Sequence, residues 1–575
     1  MSMISSGNSE YDVVVVGSGA GGMLAAIKAH DMGLSAIVIE KSDRYGGTSA
    51  VSGGAIWIPN NDFISDRDDP AKALTYLLAV TEGKVPGNKL ERYVAAAPKM
   101  VRYLKNIGVE YYVDPFISHP DYYPAADGAL SGGRTMFVKP MDGAALGAEF
   151  IRLRESYPEF KMMDNVSLDL LEGGMIVARA KGWKRIVAKT LLRYWTDFEF
   201  RKRTHRDRRL TIGNALVGGL RKAMLDRNIP LALKTRLISL EKTGARVSGI
   251  RVNAEGNEMI ISARKAVILA SGGYEQSQQL RSELLPQKTE ARWSATPRDN
   301  NTGDALAAAR QAGADTEFLE EAWWAPTIAM PSRTAPNFVR NQGLFYERGY
   351  PHSLVVNRLG KRFTNEVCSY HQFGKAMLRD NEATGANLPC WLIFDTSYRS
   401  KYPLGGLQPG WALPDSKLPE DWFDNFLYKA ESVEALARKI GIPADALKAT
   451  IDRFNAGAVR GEDPDFGRGS NAYNQYFGDP AHKPNRNLGS VETAPFYAVR
   501  LDLGDLGSKG GPKTDLDARV QAVDGTVIDG LYAIGNCSGS VMGPAYPGAG
   551  ATLGTAMTFA CVAVENIARS NMVSN

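Results

Sequence analysis

A tyrosine and a glycine near the C-terminal end of the chain are spaced so that both could bind one oxygen atom. Tyr546 offers a phenol, and four residues later Gly550 offers a backbone N–H that no Cβ shields. Residues 530–536 form a short apolar run that ends in a glycine turn, and residues 551–567 have helical apolar spacing. Because N–H groups at a helix start stabilise negative charge, the segment predicts an oxyanion clamp. A buried tyrosine beside a turn is the alternative.

The opposite end of the chain contains a nucleotide-binding pattern. Residues 11–16 are continuously apolar, as in a strand buried on both faces, and a glycine-rich turn and a helical stretch follow. A second apolar run, 35–39, ends at Glu40, whose carboxylate can accept hydrogen bonds from ribose hydroxyls. The pattern predicts a dinucleotide-binding βαβ unit, in which glycine permits a tight turn and the close approach of a pyrophosphate. The residues of the predicted phosphate turn are Gly17, Gly19, Ala20, Gly21 and Gly22.

Small and hydroxyl-bearing residues follow Glu40 and indicate which dinucleotide is bound. Residues 41–54 resemble the flavin-contacting loop of the fumarate reductase and succinate dehydrogenase flavoprotein superfamily. The resemblance implies FAD, bound noncovalently because the loop contains no histidine. Residues 266–273 resemble the element that returns to the nucleotide in flavoproteins with two dinucleotide-binding folds. The further candidate FAD-binding residues are Lys41, Gly46, Gly47, Thr48, Ser49, Ser52, Gly53, Gly54, Gly272, Gly273, Asp304, Gly535, Asn536, Ala551 and Leu553.

Length and composition are those of a globular protein with more than one domain. The chain has 575 residues, of which 44% are hydrophobic and 23% are charged. Because the nucleotide-binding segments are far apart in sequence, we predict a discontinuous α/β fold: a Rossmann-like FAD-binding domain, an inserted α+β substrate domain and a helical basic insert. The predicted boundaries are 1–120, 214–300 and 490–575 for the FAD-binding domain, 121–160 and 301–489 for the substrate domain, and 161–213 for the insert. Residues 432–458 are expected to be helical.

The cysteines and histidines do not form a metal-binding pattern. The four cysteines lack CxxC spacing and the six histidines lack paired helical spacing, so neither a metal site nor a disulfide framework is predicted. A reducing, cytoplasmic environment is therefore expected. The first ten residues lack the pattern of a secretory signal, and we find no uninterrupted apolar run long enough to span a bilayer.

Positive charge is concentrated in residues 179–209, which contain twelve Lys or Arg and three Asp or Glu, a net charge of +9. Aromatic and apolar residues recur every three or four positions from Trp183 to Phe198, which predicts a basic amphipathic helix. Such a helix favours contact with an anionic membrane, which would place the protein peripherally on the inner face. A solvated basic helix docked by its apolar face is the alternative. Nucleic acid is not an expected partner, because no binding motif is present.

Motifs spread over nearly the whole chain resemble those of the 3-ketosteroid Δ1-dehydrogenases, one branch of the flavoprotein superfamily. They lie at 46–50, 121–124, 132–134, 301–304, 360–366, 370 and 540–546. In that family a tyrosine and a glycine N–H hold the steroid C3 carbonyl, which by motif implies Tyr546 and Gly550. The tyrosine after the Asn-Glu element is the base for the C2 proton, implying Tyr370. An assisting tyrosine matches Tyr122, with Tyr123 as the alternative.

The resemblance implies desaturation of the C1–C2 bond of 3-oxosteroids during steroid degradation, with the C2 proton going to Tyr370 and the C1 hydride to flavin N5. A quinone or another membrane or artificial electron acceptor is the expected second partner. Because a phenol has a pKa near about 10, activity should rise toward alkaline pH. Trp323, Trp324 and Phe116 are candidate pocket residues.

Other functions remain open at the level of sequence. A fumarate-reductase-like enzyme would clamp carboxylates with cationic side chains, for which the candidates are Arg134, Arg340, Arg362 and His371. A Δ4-(5α)-dehydrogenase of the same superfamily is expected to have serine two positions after the clamp tyrosine, where this chain has Gly548. A flavin-containing membrane or interaction protein would use residues 179–209 as its functional surface.

Overall fold

The computed structural model describes residues 9–114, 118–332 and 339–569. The chain forms two compact units. The first unit comprises Met1–Leu285, Thr296–Ala322 and Gly507–Asn575, and the second comprises Pro286–Ala295 and Trp323–Leu506. Residues 121–160, which the sequence analysis assigns to the substrate domain, lie in the first unit, as does the basic insert.

An eight-stranded sheet forms the centre of the first unit. The strand Ser9–Val16 is parallel to Ala36–Ile39 on one side and to Asn257–Leu269 on the other. Val13, Val14 and Val15 are inaccessible to solvent, which agrees with the predicted strand buried on both faces. The strand order is Leu231–Ala232, Ala36–Ile39, Ser9–Val16, Asn257–Leu269, Arg246–Ala254 and Thr235–Thr243, and Val527–Ala533 pairs with Asn257–Leu269 and with Arg519–Gln521.

Helices cover this sheet, and two of them begin at the candidate site. Helix Ala20–Asp31 starts after the glycine turn, and helix Ala551–Arg569 starts after the segment with the predicted clamp. A Cβ at position 21 would lie 3.1 Å from the Ala556 carbonyl oxygen, so glycine allows the two helices to pack closely. The other helices of the unit are Gly47–Ala50, Pro70–Thr81, Gly87–Asn106, Leu170–Val177, Trp183–Thr196, Phe198–Arg201, Ile212–Asp226, Gln278–Leu284 and Asp304–Gln311.

Short strands and 3-10 turns complete the first unit. The strands are Ile56–Trp57, Tyr111–Tyr112, Thr135–Val138, Met141–Asp142, Lys161–Met162, Val166–Ser167, Arg209–Leu210, Thr316–Glu317 and Gly511–Pro512. The 3-10 turns are Gly143–Arg152, Pro158–Phe160 and Gly535–Cys537.

A six-stranded sheet lies largely in the second unit. Its strand order is Val339–Gly343, Ala322–Pro331, Phe496–Ser508, Cys390–Asp395 and Ser353–Val356, with Tyr428–Ala430 paired to Phe496–Ser508. The predicted helical stretch 432–458 consists of two helices, Val433–Ile440 and Ala444–Ala458, because Gly441 has a φ of +70° and Pro443 follows it. The remaining helices are Tyr370–Thr384, Thr396–Lys401 and Ala472–Tyr476, and the 3-10 turns are Ala291–Trp293, Glu347–Gly349, Asp415–Lys417 and Glu420–Trp422.

One helix within the described residues, Ala551–Arg569, is long and apolar enough to cross a membrane by length and composition. No such run was predicted from the sequence, because threonine and glycine interrupt the apolar residues of this helix. Two thirds of the apolar window (67%) is buried inside the protein, as in a core helix.

Candidate active site

The predicted clamp is a loop, residues 546–550, that leads into the helix Ala551–Arg569; we call it the clamp loop. Tyr546 is buried, with 3% of its surface exposed. Gly550 has a φ of +93°, and a Cβ there would lie 2.5 Å from the backbone of Ala55, so only glycine fits. The Gly550 carbonyl accepts the first helical hydrogen bond, from the Gly554 N–H at 2.9 Å. Among the residues that the structure describes, none accepts a hydrogen bond from the Gly550 N–H, which leaves this donor for a ligand oxygen.

Tyr122 and Tyr123 both contact the clamp loop. The rings of Tyr122 and Tyr546 lie 5.3 Å apart between centroids, and Tyr122 is 2% exposed. The Tyr123 hydroxyl accepts a hydrogen bond from the Tyr546 N–H at 3.3 Å. Tyr122 therefore presents its ring beside the clamp phenol, whereas Tyr123 supports the backbone of the clamp loop.

Tyr370 lies in the second unit at the first residue of the helix Tyr370–Thr384. Ser369 caps this helix and accepts a hydrogen bond from the Gln372 N–H at 3.2 Å. The Tyr370 ring is buried and packs edge-on against Phe345, with centroids 5.1 Å apart. Serine is a preferred N-cap residue, which explains why the helix begins at Tyr370.

Two of the three candidate pocket residues are core residues of the second unit. Trp323 and Trp324 are each 1% exposed. A Cβ at position 374 would lie 2.7 Å from the Trp324 Cβ, so Trp324 packs directly against the helix that begins with Tyr370. Phe116 lies outside the described residues.

The glycine turn and the predicted flavin loop contact one another. The Ala20 N–H, at the start of the first helix, donates to the Ser49 hydroxyl at 3.1 Å. The Gly46 N–H donates to the Ser18 hydroxyl at 3.0 Å, and that hydroxyl donates to Glu40 Oε2 at 2.6 Å. The structure thereby brings the phosphate turn, the predicted ribose carboxylate and the small-residue loop to one end of the sheet.

Lys41 and Asn301 connect residues 301–304 with the predicted flavin loop. Lys41 Nζ donates to the Thr302 hydroxyl at 2.6 Å and forms an ion pair with Asp304 at 3.3 Å. Asn301 donates through Nδ2 to the Thr48 hydroxyl at 2.9 Å. The same Nδ2 atom donates to the buried Glu275 at 2.5 Å.

The other predicted cofactor residues lie in turns around this region. Ser52 accepts the Gly54 N–H at 3.1 Å through its hydroxyl. Gly272 packs against Asn301, since a Cβ there would lie 2.4 Å from Asn301 Oδ1. In the same way, Gly273 lies against Ser508, Gly535 against Ala556, and Asn536 against Gly507. Ala551 and Leu553 form the first turn of the last helix.

The residues present fit FAD. A Cβ would find nothing within 4 Å at Gly53, and its nearest neighbours would be 3.8 Å away at Gly47 and 3.4 Å away at Gly19. These glycines thus leave open backbone in the turns predicted to contact the cofactor. Gly19 is the N-cap of the helix Ala20–Asp31 and has no side chain to cap it, as suits an anion such as a pyrophosphate.

The comparison with known proteins agrees with this fit. Residues 12–553 match the family described as FAD binding domain. The chain is 38% identical to a protein named 3-oxosteroid 1-dehydrogenase from Mycolicibacterium smegmatis, over 98% of each chain. The chain belongs to the FAD-binding family that includes the 3-oxosteroid 1-dehydrogenases.

Another relative and a solved structure describe this family further. A 3-ketosteroid Δ1-dehydrogenase from Sterolibacterium denitrificans, solved with 1,4-androstadiene-3,17-dione, is similar with a TM-score of 0.94 and 45% identity, over 98% of this chain and 100% of that chain. A 4-oxocyclohexanecarboxylate 2-dehydrogenase from Sinomonas cyclohexanicum is 36% identical, over 98% of this chain and 94% of the relative. The family thus includes enzymes named for steroid ketones and for a smaller cyclic ketone.

A buried charged network beside the clamp loop was missed by the sequence analysis. Arg134 is inaccessible to solvent and binds Asp68 through Nε at 2.9 Å and Nη2 at 2.6 Å. Its Nη1 donates to Asp121 at 2.7 Å. Asp121 and Arg134 belong to the family motifs at 121–124 and 132–134, but nothing in the sequence pairs them with Asp68.

Two cationic candidates for a fumarate-type carboxylate clamp are already engaged with acidic side chains. Arg134 has the partners given above, and Arg362 in the second unit binds Glu366 at 2.7 Å and Asp463 at 2.8 Å. Such pairs satisfy the guanidinium groups internally. The arrangement therefore disfavours a role for these two arginines in binding a dicarboxylate.

Proposed function

We propose that the protein is a FAD-dependent dehydrogenase that introduces a double bond between C1 and C2 of 3-oxosteroids. The observation that carries this proposal is the clamp loop, in which a buried phenol is followed by a glycine N–H that has no acceptor among the residues the structure describes. The chain is similar over 98% of its length to 3-oxosteroid 1-dehydrogenases. A phenol and a backbone N–H that together bound one oxygen would suit a ketone that gains negative charge during the reaction.

The clamp residues would act on the steroid C3 carbonyl. Tyr546 and the Gly550 N–H donate hydrogen bonds to this oxygen, and the bonds strengthen as the adjacent carbon loses its proton and enolate charge develops. They therefore stabilise the transition state more than the bound ketone. Loss of one such donor typically costs about 3–4 kcal/mol in the barrier.

Tyr370 is assigned as the base that accepts the C2 proton, and Tyr122 as the residue that stabilises its phenolate and passes the proton onward. Tyr122 is preferred over Tyr123 because its ring lies beside the ring of Tyr546, with centroids 5.3 Å apart. When bound, FAD supplies the two-electron acceptor for the hydrogen that leaves C1. Removal of one proton and one hydride balances the formation of the C1–C2 double bond.

Anaerobic flavin spectroscopy tests this function. Androst-4-ene-3,17-dione is expected to bleach the flavin absorbance of the purified holoenzyme, whereas a fumarate-reductase-like enzyme would instead reoxidise its reduced flavin with fumarate. Bleaching by 4-oxocyclohexanecarboxylate but not by the steroid would redirect the proposal to small cyclic ketones. The product distinguishes the Δ1 reaction from a Δ4-(5α) reaction, since only the former yields the 1,4-diene-3-one.

Substitution of Tyr370 tests the assignment of the base. Tyr370→Phe should abolish bleaching while the steroid still binds, because the ring and its packing against Phe345 are retained. Tyr350→Phe is a control, since Tyr350 is another tyrosine of the second unit that stacks on Tyr402, with centroids 4.5 Å apart. Normal bleaching by Tyr370→Phe would rule out this residue as the base.

The basic insert is proposed to bring the enzyme to the inner face of the cytoplasmic membrane, where a quinone could reoxidise the flavin. Leu192, Trp195 and Phe198 are 65%, 48% and 65% exposed and follow one another at intervals of three residues. Exposed cationic side chains precede them in the same insert, namely Lys181, Lys184, Arg185 and Lys189. Exposed apolar side chains beside cations suit an anionic lipid surface.

Vesicle cosedimentation tests this partner. The holoenzyme should sediment with anionic vesicles, and the variant Leu192→Ser/Phe198→Ser should sediment less. Phe63→Ser removes a phenylalanine of the same unit that is 52% exposed and provides the matched control. Equal sedimentation of the two variants would mean that the insert does not bind lipid. Lipid binding without any bleaching by ketones would instead favour a flavin-containing membrane protein that is not an enzyme.

A further inference from the structure

The clamp loop is held by a residue that is distant in sequence. The Pro547 carbonyl accepts hydrogen bonds from the Tyr122 N–H at 2.9 Å and from the Tyr76 hydroxyl at 2.7 Å. Tyr76 is inaccessible to solvent, and its hydroxyl also accepts the Tyr123 N–H at 3.3 Å. One hydroxyl of the helix Pro70–Thr81 therefore connects the clamp loop with the segment that carries the assisting tyrosine.

Trp57 makes a second contact with the clamp loop. A Cβ at position 548 would lie 2.2 Å from the indole Cδ1, so the loop passes this close only because residue 548 is glycine. The indole is itself fixed, since its Nε1–H donates to Asp121 at 2.8 Å and its ring stacks on Tyr93, with centroids 6.3 Å apart. Gly548 thus lies against a side chain that has little freedom to move.

The charged network described above supports both aromatic residues. Arg134 holds Asp121, which in turn holds the Trp57 indole. The Arg134 guanidinium also lies 5.6 Å from the ring centroid of Trp57 and 5.3 Å from that of Tyr76. A buried guanidinium with two carboxylate partners has a fixed geometry, because any rotation breaks charge-assisted hydrogen bonds.

We propose that Tyr76 and Trp57 are positioning residues that set the place of the Tyr546 hydroxyl and the Gly550 N–H through the backbone of residues 547 and 548. The inference rests on the proposed function, because it concerns the same clamp. Oxyanion donors act only within a narrow geometry, and a displacement of about 1 Å can lower turnover by up to about 10²-fold. Burial raises the pKa of Tyr76 well above its usual value, which keeps its hydroxyl protonated as a donor.

Removal of the Tyr76 hydroxyl tests the first contact. Tyr76→Phe keeps the ring beneath Arg134 but deletes the bond to the Pro547 carbonyl. We expect kcat for the steroid to fall about tenfold, the KM to change less than about threefold, and the FAD content to stay constant. In the control Tyr398→Phe, another buried hydroxyl loses its bonds to carbonyls, at 3.0 and 3.2 Å in the second unit, and kcat should change less than about twofold.

A double-mutant cycle with Tyr546→Phe separates positioning from general destabilisation. If Tyr76 acts through the clamp, Tyr76→Phe has little further effect on kcat once the Tyr546 hydroxyl is absent. Independent effects that multiply would overturn the positioning role and leave the proposed function intact. Unchanged turnover by Tyr546→Phe alone would contradict the proposed clamp itself, and this inference with it.

The second contact is tested at position 548. Gly548→Ala must displace either the indole or the clamp loop, so kcat should fall at least about tenfold with FAD still bound. Gly87→Ala is the control, because a Cβ there would meet only Leu78, at 3.9 Å. Activity of Gly548→Ala equal to that of Gly87→Ala would overturn the role of Trp57.

Discussion

Arg134 and Arg102 offer a matched comparison of a buried and an exposed ion pair. Arg134 binds Asp68 through two parallel hydrogen bonds of 2.9 and 2.6 Å, and Arg102 binds Asp62 through bonds of 3.0 and 2.6 Å. The side chains of the first pair are both 0% exposed, whereas those of the second are 58% and 59% exposed. The two pairs share their geometry and differ in burial, although Arg134 also holds Asp121.

Replacement of each arginine by leucine should therefore have very different effects. Arg134→Leu leaves two carboxylates buried without their cation, for which we expect a loss of about 3–5 kcal/mol in the free energy of unfolding. Arg102→Leu should cost at most about 1 kcal/mol, because water solvates Asp62. Urea unfolding at pH 8.5 with saturating FAD, followed by flavin fluorescence, reports on the first unit. A loss in Arg134→Leu no greater than that in Arg102→Leu would refute the reasoning.

The pH dependence provides a second check on the same variant. Burial raises the pKa of Asp121 to about 6 even though Arg134 opposes the shift. A carboxyl whose folded pKa exceeds its unfolded value favours folding at low pH and loses that contribution as the pH rises through the folded pKa. Without Arg134 the pKa of Asp121 rises further. At pH 5.5 a larger fraction of Asp121 is then protonated and carries no unpaired buried charge. The free energy of unfolding of Arg134→Leu should consequently differ less from that of the parent at pH 5.5 than at pH 8.5.

Three further predictions concern other parts of the chain. Burial lowers the pKa of His119 from 6.5 to about 4. The neutral imidazole therefore contributes stability above pH 6.5 that is lost as the pH falls toward 4. In His119→Gln the free energy of unfolding in urea should decrease by about 2–3 kcal/mol less over this pH range. Gly17→Ala should lose FAD, measured as flavin absorbance after gel filtration, because its Cβ would lie 2.5 Å from the Ala270 carbonyl oxygen. Gly33 is the control, since it has a φ of +78° but a Cβ there would meet nothing within 4 Å. Gly33→Ala should lower the free energy of unfolding by only about 1–2 kcal/mol and retain FAD. Finally, kcat/KM should rise from pH 6 to 10 if Tyr370 is the base, and a flat profile would contradict this role.

Local patterns in the sequence were sufficient to predict the nucleotide-binding elements. The apolar run 11–16 is a strand and the stretch after the glycine turn is a helix, as predicted. Both follow from the spacing of apolar residues and from the glycines of the turn, which lie within about thirty residues of one another. The strand and helix that flank the clamp loop were also predicted, and they are observed as Val527–Ala533 and Ala551–Arg569. These elements carry their signal in adjacent residues.

The supports of the clamp loop could not be predicted, because they join residues that no local pattern relates. The bond from Tyr76 to the Pro547 carbonyl spans 471 positions in sequence, and Tyr76 itself is one aromatic residue in an ordinary amphipathic helix. Asp68 stands in a charged turn that would be solvent-exposed in most proteins. Only the folded chain shows that both are buried.

The contact between Gly548 and Trp57 changes how this glycine is to be interpreted. In the sequence, Gly548 stands where Δ4-(5α)-dehydrogenases are expected to have serine. This difference alone suggests that the serine hydroxyl distinguishes the two reactions. In the structure the Cβ alone would collide with the indole, before any hydroxyl is considered. Because the indole donates a hydrogen bond to Asp121 and stacks on Tyr93, any movement of the indole would break these contacts. A serine at this position would therefore have to displace either the Trp57 indole or the clamp loop, unless a smaller residue stood at position 57. Positions 57 and 548 thus determine the geometry of the clamp together.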